Sequence, residues 1–177
     1  MPNINNLHFL NHASFAIERN SEILLIDPWF QGTAFNDGWA LLDQSTADSS
    51  IIEWLKLSNK KIFIWYSHEH SDHFSMSFLK MIQKEKIDAT IIFHRTLDGR
   101  VTAFLRSQKL DVIDAEDGKP VLLGDSFCIA TWSYRNDDSF CVIKSNEMSI
   151  LNINDCVIST ENEARIVMSK LSQFSDR

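Results

Sequence analysis

Glycine and proline are scarce in this chain, five and three among 177 residues, too few to mark a linker or a domain boundary. Internal repeats and low-complexity tracts are absent as well, so the chain reads as one continuous unit, a single domain over 1–177. Cys128, Cys141 and Cys156 are odd in number and form no CxxC pair, which argues against a disulfide framework or a zinc ribbon and for reduced thiols. Basic residues are outnumbered, 17 Lys and Arg against 24 Asp and Glu, giving a formal charge of −7. Binders of a nucleic-acid backbone carry a basic face to displace counterions, so the expected partner is a small-molecule substrate, not a nucleic acid. No apolar run approaches the roughly 20 residues of a membrane span. Met1-Pro2-Asn3-Ile4-Asn5-Asn6 has neither the charged nor the apolar region of a secretory signal. The expectation from these absences is a soluble, cytoplasmic protein.

What is present is an alternation of short apolar runs. Strands are predicted over 7–10, 14–18 and 22–26, the last two joined by the turn Arg19-Asn20-Ser21. A helix follows from a cap at Ser49 or Ser50 to about Leu57, then a strand over 61–66 and a helix over 75–84. Residues 90–93 and 111–114 read as strands flanking a helix over 100–109, with a turn at Asp117-Gly118. Strands then predominate, over 120–123, 126–132, 140–144 and 148–153, before an amphipathic helix near 161–171. The class is α/β, a mixed sheet with helices on its outer faces. Residues 31–46 form a loop holding Phe35, Trp39, Leu41 and Leu42, able to wall a pocket or fold over the core.

The densest chemistry lies in His68-Glu69-His70-Ser71-Asp72-His73, directly after the predicted strand Lys61-Ile62-Phe63-Ile64-Trp65-Tyr66. In extended chain, residues two apart share a face, so His68, His70 and Asp72 can enter one pocket, and His73 breaks that parity where the chain turns. Imidazoles suit zinc and iron, and an added carboxylate suits a harder or second ion, so one or two divalent metals are expected, zinc first with manganese or iron as alternatives. Glu69 points away by the same parity. Asp27, at the end of the strand over 22–26, is placed to accept a hydrogen bond from a ligand histidine, a turn aspartate before Pro28 being the other reading. His12 could face the pocket, a strand-end polar residue being the commoner reading on local grounds, and His8 and His94 read as structural histidines.

His68-x-His70-x-Asp72-His73 after an apolar strand resembles the signature of the metallo-β-lactamase superfamily. Asn11-His12-Ala13-Ser14-Phe15 and Leu24-Leu25-Ile26-Asp27-Pro28-Trp29-Phe30 resemble its lactonase-like and phospholipase-D-like branch. Ile150-Leu151-Asn152-Ile153-Asn154-Asp155-Cys156 is similar to the segment of the bridging aspartate in relatives of the sialic-acid hydroxylase. The resemblance implies an αββα sandwich, with His68 and His70 on a first metal, Asp72 and His73 on a second, and Asp155 bridging both. The family usually adds a histidine between the central motif and the bridging aspartate. Residues 131–138 hold none here, and Asp137 or Asp138 is the available substitute, a solvated turn being the other role for both. Such a fold generally exceeds about 200 residues. The chain is therefore read as partial at its C-terminus, with a homo-oligomer or a complementing chain expected to cover the open sheet edge.

The function implied is a metal-dependent hydrolase whose metal-bound hydroxide attacks an ester, lactone or phosphodiester, with Asp72 orienting or deprotonating the water. Two other readings stand beside it. One is partner-dependent oxygen chemistry like that of the sialic-acid hydroxylase; the other is a degenerate binding or assembly module without catalysis.

Overall fold

The computed structural model describes residues 6–135, 138–145 and 148–175. The first half of the chain forms β1 (Asn6–Asn11), β2 (Ser14–Arg19), β3 (Glu22–Ile26), β4 (Thr33–Ala34), β5 (Trp39–Ala40), α1 (Asp48–Ser58), β6 (Lys61–Tyr66) and α2 (Met76–Lys84). The second half forms β7 (Ala89–His94), α3 (Arg100–Ser107), β8 (Asp111–Ala115), β9 (Val121–Leu123), β10 (Phe127–Ser133), β11 (Ser139–Ser145), β12 (Met148–Asn152) and α4 (Glu161–Ser175).

Side-chain parity dictates how these elements stack. Strands β1, β2 and β3 form an antiparallel meander, and β6, β7 and β8 continue in parallel from β3, giving a six-stranded sheet in the order β1-β2-β3-β6-β7-β8. Its central strands are apolar on both faces, as strands covered on both sides must be. Ile62, Ile64 and Tyr66 of β6 face Ile52 and Leu55 of α1, Phe78 and Leu79 of α2, and Leu105 of α3. Phe63 and Trp65 face the other way, onto Phe127 and Ile129 of β10 and Cys141 and Ile143 of β11. Those strands belong to an antiparallel sheet in the order β12-β11-β10-β9. Its outer face presents Ala130, Trp132, Phe140 and Val142 to Val167 and Phe174 of α4. The layers are thus helix, sheet, sheet, helix, the αββα sandwich expected, with an apolar cluster at each of the three interfaces between layers.

Polar ties also cross from one sheet to the other. The buried Glu22 carboxylate accepts the amides of Asp125 and Ser126, both at 2.8 Å, and the Arg19 guanidinium donates to Ser145 Oγ at 2.7 Å. Gly124 makes the first tie possible: its φ is +57° and a Cβ there would collide with the Glu22 carboxylate.

Helix α1 corrects the predicted cap. It starts after Ala47, not at Ser49 or Ser50; Ser50 reaches back to accept the Ala47 amide at 3.3 Å, and the Asp48 amide is taken by Gln31 Oε1. Asp48 is fully buried, accepts one bond from Ser77 Oγ at 2.9 Å, and leaves Oδ1 without a hydrogen bond. Burial raises its carboxyl above the ordinary value, against the lowering effect of Ser77. A raised carboxylate pKa means the folded state holds a proton that the unfolded state releases, so this site costs stability as pH rises. Asp48→Asn is expected to gain on the order of 1 kcal/mol at pH 7, with the gain vanishing below about pH 4, where both states are protonated. Urea denaturation across pH 3–8 checks it; a variant less stable than the parent at pH 7 would contradict it.

Candidate metal centre

The C-terminal ends of adjacent parallel strands are where an α/β sheet exposes loop groups to a ligand. Strands β3 and β6 end side by side: the Asp27 amide donates to Trp65 O at 3.0 Å, and the Ser67 amide donates to Asp27 Oδ1 at 2.7 Å. From Ser67 the chain leaves the sheet and turns, with the amides of His73 and Phe74 both donating to His70 O. This turn accounts for the parity break at His73.

Two groups of donor atoms result, each with its atoms within 4.8 Å of one another: His68, His70 and Asp155 in one, and His12, Asp72 and His73 in the other. His68 Nε2 lies 2.8 Å from His70 Nδ1 and 3.8 Å from Asp155 Oδ2. His73 Nε2 lies 3.5 Å from Asp72 Oδ2 and 3.4 Å from the same Asp155 oxygen, so that oxygen stands between the groups. His12 Nε2 approaches Asp72 Oδ2 at 3.6 Å. Asp138 Oδ1 is 3.9 Å from His68 Nε2; Asp137 lies outside the described residues. Glu69 points elsewhere, pairing with Arg100.

The donor set fits cations. His73 Nε2 and Asp72 Oδ1 are buried and make no hydrogen bond, a costly condition for polar atoms unless something charged sits between them. Burial opposes a charge on His73. The Asp27 hydrogen bond and the carboxylates of Asp27, Asp155 and Asp72 nevertheless raise its pKa, so the protein favours positive charge at that point. Burial and the neighbouring His73 push His68 down to about 4, leaving its imidazole neutral, the form that coordinates metal.

Asp27 organises both histidines. It is fully buried, and its Oδ2 accepts from His73 Nδ1 at 3.2 Å, from Ser67 Oγ at 2.8 Å and from Asn154 Nδ2. Ser67 Oγ is also 2.8 Å from His68 Nδ1. With Ser67 donating to Asp27, its oxygen accepts the His68 Nδ1 proton; both imidazoles are then held with Nδ1 protonated and Nε2 lone pairs turned to the centre. The hydrogen-bonding role predicted for Asp27 is the contact observed.

His12, Ser67 and Asn154 were not singled out as site residues by the sequence. His12 does stand at a strand end, yet its ring turns inward, with its centroid 5.6 Å from that of His73. His12, Asp27 and Asn154 all have left-handed backbones, with φ of 28°, 41° and 44°. Non-glycine residues adopt that region at a cost. The signal that could have found Ser67 is its place beside Asp27 at the end of the neighbouring strand.

The 31–46 loop both folds over the core and walls a pocket. Ala34 and Leu41 pack on Trp29, while Trp39 and Phe35 stack at 6.1 Å and the Phe35 amide donates to Ser71 Oγ, in the loop after β6, at 3.0 Å. Between this loop and the β1 end is a cavity of about 330 Å³ with His12 in its wall.

No family model matches the chain. Its sequence is 35% identical over 83 residues to cytidine monophosphate-N-acetylneuraminic acid hydroxylase of Cricetulus griseus, covering 47% of this chain and 14% of the hydroxylase. The Xenopus laevis hydroxylase is 33% identical over 88 residues, 50% of this chain and 14% of that one. Among solved structures, the diiron β-hydroxylase CmlA from Streptomyces venezuelae superposes with a TM-score of 0.68 at 15% identity, over 96% of this chain and 33% of CmlA. A possible metal-dependent hydrolase from Veillonella parvula gives 0.66 at 15% identity, over 94% of this chain and 68% of the other. The matched segment thus spans about one seventh of the length of the curated relatives. The fold is metallo-β-lactamase-like.

Proposed function

We propose that the chain is a metal-dependent hydrolase with two adjacent cation positions, one served by His68, His70 and Asp155 with Asp138 beside them, the other by His12, Asp72 and His73. The observation that carries this reading is the single Asp155 oxygen lying 3.8 Å from His68 Nε2 and 3.4 Å from His73 Nε2, with the buried His73 Nε2 making no hydrogen bond and Asp72 Oδ2 3.5 Å from it. A mixed set of imidazoles and carboxylates accepts zinc, and also iron or manganese. Bound divalent cations would lower the pKa of a coordinated water toward about 7 and polarise the scissile carbonyl or phosphoryl oxygen. Asp72, whose Oδ2 lies 3.5 Å from His73 Nε2 and 3.6 Å from His12 Nε2, would orient the attacking water and take its proton. Asp27 and Ser67 hold His73 and His68 in the required tautomers throughout. Ester, lactone and phosphodiester substrates all suit this arrangement.

A second reading, oxygen chemistry on iron, draws on the likeness to hydroxylases and on the carboxylate-rich donor set. Metal analysis of the purified chain, with two assays in parallel, separates the alternatives. Hydrolysis is expected of about two ions per chain, with turnover of 4-nitrophenyl esters or bis(4-nitrophenyl) phosphate that chelation removes and added zinc or manganese restores. Oxygen uptake by the Fe(II)-loaded chain with a reductant, without hydrolysis, would favour the second reading. Failure to bind any of these ions would leave the binding or assembly module.

A further inference from the structure

We propose that the cavity between the end of β1 and the 31–46 loop is the subsite for an uncharged apolar group of the substrate, aromatic or branched aliphatic, carried a few atoms from the bond broken at the metal centre. The inference rests on the hydrolase reading above and adds the substrate class. The cavity meets that centre directly through His12. The His12 ring stands edge-on to Trp29 at 5.6 Å and to Trp39 at 5.0 Å, while its Nε2 is 3.6 Å from Asp72 Oδ2. A ligand in contact with the two indoles is therefore one imidazole away from the cation positions.

The walls select for apolar chemistry. Phe9, Trp29, Trp39, Ala40, Leu41 and Leu42 are six of the nine lining residues, and among the described residues no lysine or arginine lines the cavity. The polar groups present are engaged: Asn11 donates Nδ2 to Asp43 O at 2.9 Å and accepts the His12 amide on Oδ1, so it fixes the loop and offers little to a ligand. Asp43 at the rim is held below the ordinary carboxylate range by its bonds from Ser45 and so carries negative charge into neutral pH. An anionic substrate group would meet this carboxylate without a compensating cation. Trp39, Phe9 and Leu42 are 46%, 78% and 103% exposed around the mouth, surface that a soluble protein seldom leaves contiguous without a ligand to cover it. The cavity's size, about 330 Å³, lies at the small end of ligand pockets and admits a phenyl or branched alkyl group.

The test uses hydroxamates, which chelate metal through a common head and differ in tail. Calorimetry on the zinc-loaded chain would compare acetohydroxamate, benzohydroxamate and 4-phenylbutanohydroxamate, with quenching of indole fluorescence as a second readout. 4-Phenylbutanohydroxamate, whose ring is carried a few atoms from the head, is expected to bind roughly 30-fold more tightly than acetohydroxamate, as burial of one ring in an apolar pocket allows, with benzohydroxamate between them. In Trp39→Ala that advantage should fall below about threefold, and Trp39→Phe should keep most of it. Equal affinity for all three compounds in the unaltered chain would overturn the subsite while leaving the metal centre standing. Absence of binding by any hydroxamate to a chain of verified metal content would overturn both readings. Because the tail comparison is made in the unaltered protein, its outcome does not depend on the variants folding.

Discussion

Replacing His70 by alanine is expected to abolish metal-dependent hydrolysis while the protein keeps its fold. The separation follows from where the residue sits. His70 is exposed, its ring touches His68 and the edge of Phe35, and it belongs to none of the buried clusters. What the turn requires of residue 70 is its carbonyl, which accepts the amides of His73 and Phe74 and survives in alanine. Stability should therefore change by no more than about 0.5 kcal/mol, as at ordinary surface positions. The first donor group would lose one of its two imidazoles, leaving His68 and Asp155 to hold a cation with Asp138 nearby. Groups that merely orient ligands are worth about 10–100-fold in metal affinity or activity. Loss of a direct ligand should exceed that, a drop on the order of a thousandfold in kcat/KM, with fewer than two ions retained. Metal stoichiometry, kcat/KM and the thermal midpoint measured on one preparation decide it; unchanged turnover at full metal loading would remove His70 from the mechanism.

How much of this was legible before the structure depends on how locally each feature is determined. The runs of β3, β6, β10 and β11 are covered on both faces, and their limits were readable within a residue or two. The cap of α1 was not, because its partners are tertiary: Gln31 takes the Asp48 amide from another loop, so the nearby serines were not needed as caps. The strands β4 and β5, two residues each, carry too little pattern to be seen. The convergence of His68, His70, Asp72 and His73 could be read from spacing, and that of Asp155 with them from the resemblance in motif order. His12 was weighed and set aside, since nothing near it in sequence shows that the β1–β2 turn swings toward the β6 loop. Asn154 owes its place to a contact with Asp27 across 127 positions, and no local pattern encodes that.

That contact leads to the second large effect, at a residue outside both donor groups. Asp27→Asn should weaken metal binding by roughly 10–100-fold and also destabilise the fold. The carboxylate accepts the Ser67 amide on Oδ1, and Ser67 Oγ, His73 Nδ1 and Asn154 Nδ2 on Oδ2. An amide offers one acceptor and one donor group, so in either orientation its NH₂ meets at least one of those hydrogens. A buried donor left unpaired costs about 1–3 kcal/mol. With the Oδ2 position turned to NH₂, His73 is driven to the tautomer that carries its proton on Nε2, facing Asp72 and Asp155 where a lone pair is needed. The Asp27 bond and charge that raise the His73 pKa are lost at the same time, so the electrostatic preference for a cation at that point falls. Nitrogen-15 NMR of the imidazoles in the metal-free protein distinguishes this from a general loss of stability, because a merely structural aspartate would not move the His73 tautomer. A destabilised variant with the parent's metal affinity and the parent's His73 tautomer would reduce Asp27 to a packing role.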